Sequence, residues 1–316
     1  MRQAPVGGGY TWEGGFPSRD SGGSMKHSLA IATLVAISIS VIGSVPAAGA
    51  DDRTFLWRAS SDTATLYLLG SIHAMRPEHY PLPTAMETAY DEASVVVFET
   101  NLDDLTSAAL QMLKAGVLPE GRTLESEVSE STWNDFSAHL LERGIDPDDF
   151  QTMKPWMAAL NLTALELMAS GYLAEKGIDA YFSDRAAKDG KERMPLETVD
   201  LQVALFAELT DEQSLAFLRY TLVDLQTMIP QLDELSRQWR AGEVEPVEAL
   251  LLEGFRQFPD LFERMVTERN DAWMMPIEML LAGEQDALVV VGALHLVGEG
   301  GVVEMLRKRG YSVEQL

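Results

Sequence analysis

Two histidines in this chain are set apart by what precedes them. Residues 66–73 read LYLLGSIH and residues 288–295 read LVVVGALH, each an apolar run followed by Gly-x-x-His. Each run predicts a short buried strand that ends at a glycine, Gly70 or Gly292, and delivers His73 or His295 just beyond it. A third apolar run, VVVFET, ends at Glu99. In an open parallel sheet, functional groups gather at the carboxyl ends of the strands. Neighbouring strands lie ~5 Å apart, so strands placed near each other would bring the two imidazoles together. Two imidazoles and a carboxylate make an open site for a divalent metal, and ligand type alone admits Zn²⁺, Mn²⁺ or Co²⁺. A single Gly-x-x-His carries little weight, since a histidine after a strand is most often a loop residue bonded to a carbonyl. The repetition is the signal. His79, in a proline-rich loop, and His139, on a helix face, read as ordinary surface positions.

The elements that must position these residues follow from the apolar pattern. ATLYLLGSI reads as a strand, PLPTAMETAYDEA as a helix capped by Thr84, and SVVVFETNL as a second strand. Continuous apolar strands around a helix argue for a βαβ unit in a parallel sheet. Near the other end, ALVVVGALHL reads as a strand, GGVVEMLRKRG as a helix stopped by Gly310, and YSVEQL as an edge strand. Between them, residues 103–286 carry apolar residues at three- and four-residue spacing in STWNDFSAHLLERG, PWMAALNLTALELMASG, DEQSLAFLRYTLVDLQTMI and LFERMVTERNDAWMMPIEMLLAG. These predict helices, the last kinked at Pro276, with one short strand at ERMPLET. The expected fold is α/β: a split, mostly parallel sheet built from N- and C-terminal strands, with a large helical insertion between them. Residues 51–316 are expected to form a single domain.

The first fifty residues read differently. Residues 1–24 are rich in Gly, Ser and Pro without apolar periodicity, and they predict a disordered or non-native extension upstream of a true start at Met25. Residues 25–50 show a basic start, an apolar stretch and Ala48-Gly49-Ala50, the pattern of a signal peptide cleaved before Asp51. An uncleaved membrane anchor is the alternative. The expectation is therefore an exported, periplasmic protein with no stable membrane insertion after cleavage. The chain has 49 acidic against 24 basic residues, a net charge of −25, which argues against nucleic acid as a partner. It has no cysteine, which excludes a thiolate nucleophile, a Cys-ligated zinc and a lipid-modified N-terminal cysteine. GEGG, residues 298–301, is not a phosphate loop and reads as tight packing behind His295. Met274, Met275 and Met279 read as core rather than as a copper site.

These segments resemble the TraB/PrgY/GumN family, whose eukaryotic relatives include the Tiki metalloproteases and which sits in an erythromycin-esterase-like superfamily. The likeness runs from LYLLGSIHAMRPEHYPLP through SVVVFETNL, GIDAYFSDRAAKDGKERMPLET and ERNDAWMMPIEMLLAG to VVVGALHLVGEGGVVEMLRKRGYSVE. The family's two Gly-x-x-His motifs and glutamate are matched by Gly70–His73, Gly292–His295 and Glu99, and the arginine of the ERN segment is Arg269. The resemblance implies a divalent-metal hydrolase acting on a peptide or small-molecule substrate. In that reading His73, His295 and Glu99 hold the metal, or Glu99 stands beside it as the base, and Arg269 stabilises the oxyanion. Glu197 is a weaker candidate at the same edge, with pairing to Arg193 or Arg185 as its plain structural role. For Arg269 the plain role is a helix-surface ion pair near Glu268 or Asp271. Two other readings stay open: a metal-free esterase with a histidine base, and a non-catalytic periplasmic binding protein for a peptide, polysaccharide or haem.

Overall fold

The computed structural model describes residues 53–316; the expected extension and signal segment lie outside the described residues. Six strands form one sheet: β1 (Leu56–Ser60), β2 (Thr65–Ser71), β3 (Val95–Phe98), β4 (Glu192–Pro195), β5 (Ala287–Gly292) and β6 (Ser312–Gln315), in the order β4-β3-β5-β2-β1-β6. β2, β5, β3 and β4 run parallel, and β1 is antiparallel to both of its neighbours. The split sheet is therefore present, with N- and C-terminal strands interleaved at its centre. β1 adds a strand to the expected set. It exists because FLWRAS can pair on one side with β2 and on the other with the C-terminal β6.

Every residue of β3 and β5 is buried. Successive strand side chains point to opposite faces, so both faces of the sheet's centre are covered, as continuous Val and Leu runs require. Each such side chain contributes roughly 1.5–3 kcal/mol on burial, enough to hold the sheet without disulfides. The insertion supplies the cover: helices Pro155–Ala169, Ile178–Asp189 and the 30-residue Asp211–Arg240 among others, with β4 as its short strand. Among the described residues no helix is long and apolar enough to cross a membrane.

Local expectations are corrected in three places. Helix Thr84–Glu92 is preceded by Pro83, so Thr84 opens the helix and does not cap it. Helix Glu268–Leu281 contains Pro276 without ending there, and a π-helical turn over Glu263–Thr267 lies upstream of it. His295 lies on a one-turn helix, Ala293–Leu296, and not on an extended strand end. Met274 is core, but Met275 and Met279 are 70% and 69% exposed, because the helix turns only one side toward the sheet. Gly310, at φ +94, does terminate helix Val302–Lys308.

Candidate active site at the sheet edge

β2 and β5 are direct neighbours, and the register pairs Gly70 with Val291 and Ser71 with Gly292. The two Gly-x-x-His units are thus offset by one residue, and their glycines meet different surroundings. A Cβ on Gly70 would lie 2.5 Å from the Phe55 ring and 3.1 Å from the Ala293 backbone. Gly70 therefore serves packing behind the site. A Cβ on Gly292 would lie 3.2 Å from Glu99 Oε1, 3.4 Å from His73 Nε2 and 3.5 Å from His295 Cδ2. Gly292 is the floor on which the three side chains converge.

His73 Nε2 and His295 Nε2 stand 4.0 and 3.9 Å from the same Glu99 oxygen, Oε1, which also accepts the Gly292 N–H at 2.7 Å. β3 and β4 continue their ladder past the strand ends, where Glu197 N–H donates to Glu99 O. That contact brings Glu197 to the same edge. Its partner is neither Arg193, which pairs with Asp103, nor Arg185, which pairs with Glu87 and Asp91. Glu197 instead accepts from Arg269 Nε and Nη2 and from the Trp273 indole.

Arg269 is no surface ion pair; its side chain is only 10% exposed. All five of its N–H groups are taken. Nε and one Nη2 hydrogen go to Glu197, the second Nη2 hydrogen goes to Glu99 Oε2 at 2.5 Å, and Nη1 serves Met265 O and His295 Nε2. The π-helical turn that ends just before Glu268 resets the helix so that Arg269 and Asn270 both face the sheet edge, a recurring place for such turns.

Asn270 determines which nitrogen of His295 carries the proton. Its Nδ2 donates to His295 O and Gly300 O, so its Oδ1 must accept, and His295 Nδ1 is the donor at 2.7 Å. Nε2 is left as a lone pair facing the site. The GEGG turn thus does pack behind His295, since its Gly300 carbonyl anchors Asn270. His73 is held the other way round the ring, with Nδ1 3.1 Å from Asp179 Oδ2. Asp179 carries no signal in the sequence beyond being one acid among many.

The charges follow this geometry. Burial and the adjacent Arg269 push His295 down to about 3, so it stays neutral. Burial opposes a charge on His73, but Asp179 and then Glu99 outweigh it and hold it up at about 9. Burial alone would raise the Glu99 carboxyl; Arg269 and the two imidazoles hold it well below the usual carboxylate range. Elsewhere, His139 and His79 are not bare surface groups. His139 Nε2 meets the buried Glu166 at 3.0 Å, and His79 Nδ1 accepts the Arg76 N–H.

Beside the centre lies a cavity of about 600 Å³. His73, Glu99 and Gln202 face it, its walls include Ala108, Met112 and Leu167, and Glu175 and Asp184 stand among its lining residues. Among the described residues no three His, Asp or Glu side chains already stand close enough together to hold a metal ion. Arg269 stands among these groups as a cation in its own right, in contact with both Glu99 Oε2 and His295 Nε2. In kind, the donor set nevertheless fits a divalent ion once His73 gives up the proton that Asp179 and Glu99 favour. His73 Nε2 has no hydrogen-bond partner, His295 Nε2 presents a lone pair, both Nδ1 atoms are braced from behind, and Glu99 is ionised.

The chain is 30% identical to uncharacterized protein YbaP of Escherichia coli (strain K12) over 76% of this chain and 87% of that protein. It is 22% identical to metalloprotease TIKI1 of Danio rerio over 84% of this chain, and 21% identical to metalloprotease TIKI2 of Xenopus tropicalis over 85%. It spans 63% and 61% of those longer proteins. No solved structure matches at a significant level. The TraB/PrgY/gumN family profile matches residues 55–315, which takes in β1 through β6 and every residue of the sheet-edge centre, and the chain belongs to that family.

Proposed function

We propose that this protein is a hydrolase of peptide-like bonds, working at the carboxyl edge of its sheet with a divalent cation held by His73, His295 and Glu99. The observation that carries this reading is the convergence of the three groups over Gly292, at the side of one large cavity. The distant likeness to metalloproteases TIKI1 and TIKI2 supports it.

A bound divalent cation supplies a Lewis acid that acidifies water and polarises a carbonyl. The protein's own groups do the rest. Glu99, ionised and anchored by the Gly292 N–H, would hold the cation or, standing just off it, take a proton from an attacking water. Asn270 keeps the His295 Nε2 lone pair aimed at the centre. Arg269 has no N–H free for a substrate oxygen while it donates to His295. Once His295 Nε2 is engaged by another partner, one Nη1 hydrogen is released next to Glu99. The same exchange frees a ligand and an oxyanion donor. Ala108, Met112 and Leu167 on the cavity wall suit apolar side chains next to the bond that is cut.

The second reading is a hydrolase without metal. The observation in its favour is Arg269, a cation already seated between Glu99 and His295. Metal content of protein purified without chelator, together with turnover of fluorogenic peptides with and without chelator, separates the two. Stoichiometric metal and chelator-sensitive turnover are expected; full turnover by metal-free protein would overturn the metal reading.

A further inference from the structure

The two Gly-x-x-His histidines look alike in sequence but are braced by different chemistry. His295 Nδ1 faces an amide oxygen, Asn270 Oδ1, at 2.7 Å. His73 Nδ1 faces a carboxylate, Asp179 Oδ2, at 3.1 Å. We propose that Asp179 is a positioning residue that orients His73, and that this unequal bracing makes the two histidines non-interchangeable. The metal-binding part of this proposal rests on the reading above; the orientation of His73 does not.

Three contacts join the start of helix Ile178–Asp189 to the end of β2. A Cβ on Gly177 would lie 2.2 Å from the His73 carbonyl oxygen, so only glycine allows this approach. Ile178 N–H donates to Ile72 O at 3.0 Å. Asp179 then reaches the His73 ring itself. An acid in the first turn of a helix is favourable wherever its side chain points, and a purely structural Asp179 would leave its oxygens in water. Instead Asp179 is turned inward. Its Oδ1 is buried with no hydrogen-bond partner, a costly arrangement that neither capping nor packing accounts for. Its other oxygen is spent on His73.

The consequence lies at Nε2. With Nδ1 bound by Asp179, the His73 ring cannot turn away, and its Nε2 stays directed toward Glu99 Oε1. A carboxylate behind an imidazole makes the opposite nitrogen the stronger electron donor, whereas an amide does so less. His73 is therefore the tighter of the two ligands, and His295, shared with Arg269, the exchangeable one. The same helix lines the cavity through Ala180, Ser183, Asp184 and Ala187, so the element that would contact substrate also carries the brace of His73.

The test uses the full chain labelled with ¹⁵N-histidine, with the His73 ring signals assigned by their loss in His73→Gln. In the wild type, His73 is expected to show an Nδ1-bound, hydrogen-bonded proton. Asp179→Ala should lose that pattern while the His295 Nδ1 proton, held by Asn270, is unchanged. Asp179→Asn keeps an acceptor and the fold, and should retain the Nδ1 proton. Its Co²⁺ affinity, read by visible absorbance, should fall about 10–100-fold, with thermal melting unchanged. An unaltered His73 pattern in folded Asp179→Ala, or wild-type Co²⁺ affinity in Asp179→Asn, would overturn the proposal. Should Asp179→Ala fail to fold, Asp179→Asn decides. Should wild-type protein take up no Co²⁺, the metal reading falls, and the ring signals alone decide the role of Asp179.

Discussion

Arg269 Nη1 lies 3.0 Å from His295 Nε2, so the one lone pair that Asn270 leaves free on His295 is held by an arginine hydrogen. The contact ties a helix of the insertion to the end of β5, and it keeps the site assembled by a charge internal to the chain. Glu99 and Glu197 are both nearly buried, and Arg269 is the cation that both touch.

Removing that cation should therefore affect the fold before it affects chemistry. Arg269→Ala leaves two buried carboxylates facing each other across an empty volume. Breaking such a buried pair costs about 3–5 kcal/mol, and thermal unfolding should shift down accordingly. Arg269→Lys should restore only part of the loss, because one ammonium has three donors where five acceptors wait. Wild-type melting of Arg269→Ala would show that the network contributes nothing to stability.

The two glycines should separate packing from function. Gly70→Ala drives a methyl into Phe55 and the Ala293 backbone, and overpacking of this kind costs about 1–3 kcal/mol. Gly292→Ala places its methyl against Glu99, His73 and His295, at contacts that need shifts of a few tenths of an ångström. Its melting temperature should move less, yet misplacing the centre should reduce turnover by about a hundredfold. Equal turnover in Gly292→Ala and wild type would remove Gly292 from the site.

Metal content distinguishes the roles of the histidines. His73→Ala and His295→Ala should each lose bound divalent metal together with activity, since a two-ligand remnant holds such an ion poorly. If His73 works without metal, His73→Ala abolishes activity, His295→Ala only weakens it, and chelator does nothing. Elemental analysis of both variants beside the wild type reads the difference directly.

Export is tested at the N-terminus. The pattern of residues 25–50 predicts cleavage after Ala50 and a mature chain that begins at Asp51. N-terminal sequencing of the protein recovered from the periplasm of a Gram-negative host should read Asp-Asp-Arg-Thr. Residues 25–50 found intact in the membrane fraction would replace the signal peptide with an anchor.

Much of the arrangement is determined by local sequence. Continuous apolar runs can only be buried on both faces, so β2, β3 and β5 had to form the sheet's centre, and their glycine and acid ends had to mark its edge. The helical insertion and the stop at Gly310 follow from periodicity and turn chemistry in the same way. Long-range pairing decided the rest. β1 is a strand only because β2 and β6 flank it, and the one-residue offset between Gly70 and Gly292 exists only in the β2–β5 register. That offset makes one glycine a packing contact and the other the floor of the site. Arg269 and Asn270 share one helix, while Glu197 and Asp179 lie on other elements, and the partners of all four are remote in sequence, so no spacing could reveal which groups they meet. Their roles arise because a buried charge must find an opposite charge or a hydrogen bond, and which one it finds depends on what the fold brings within 3 Å.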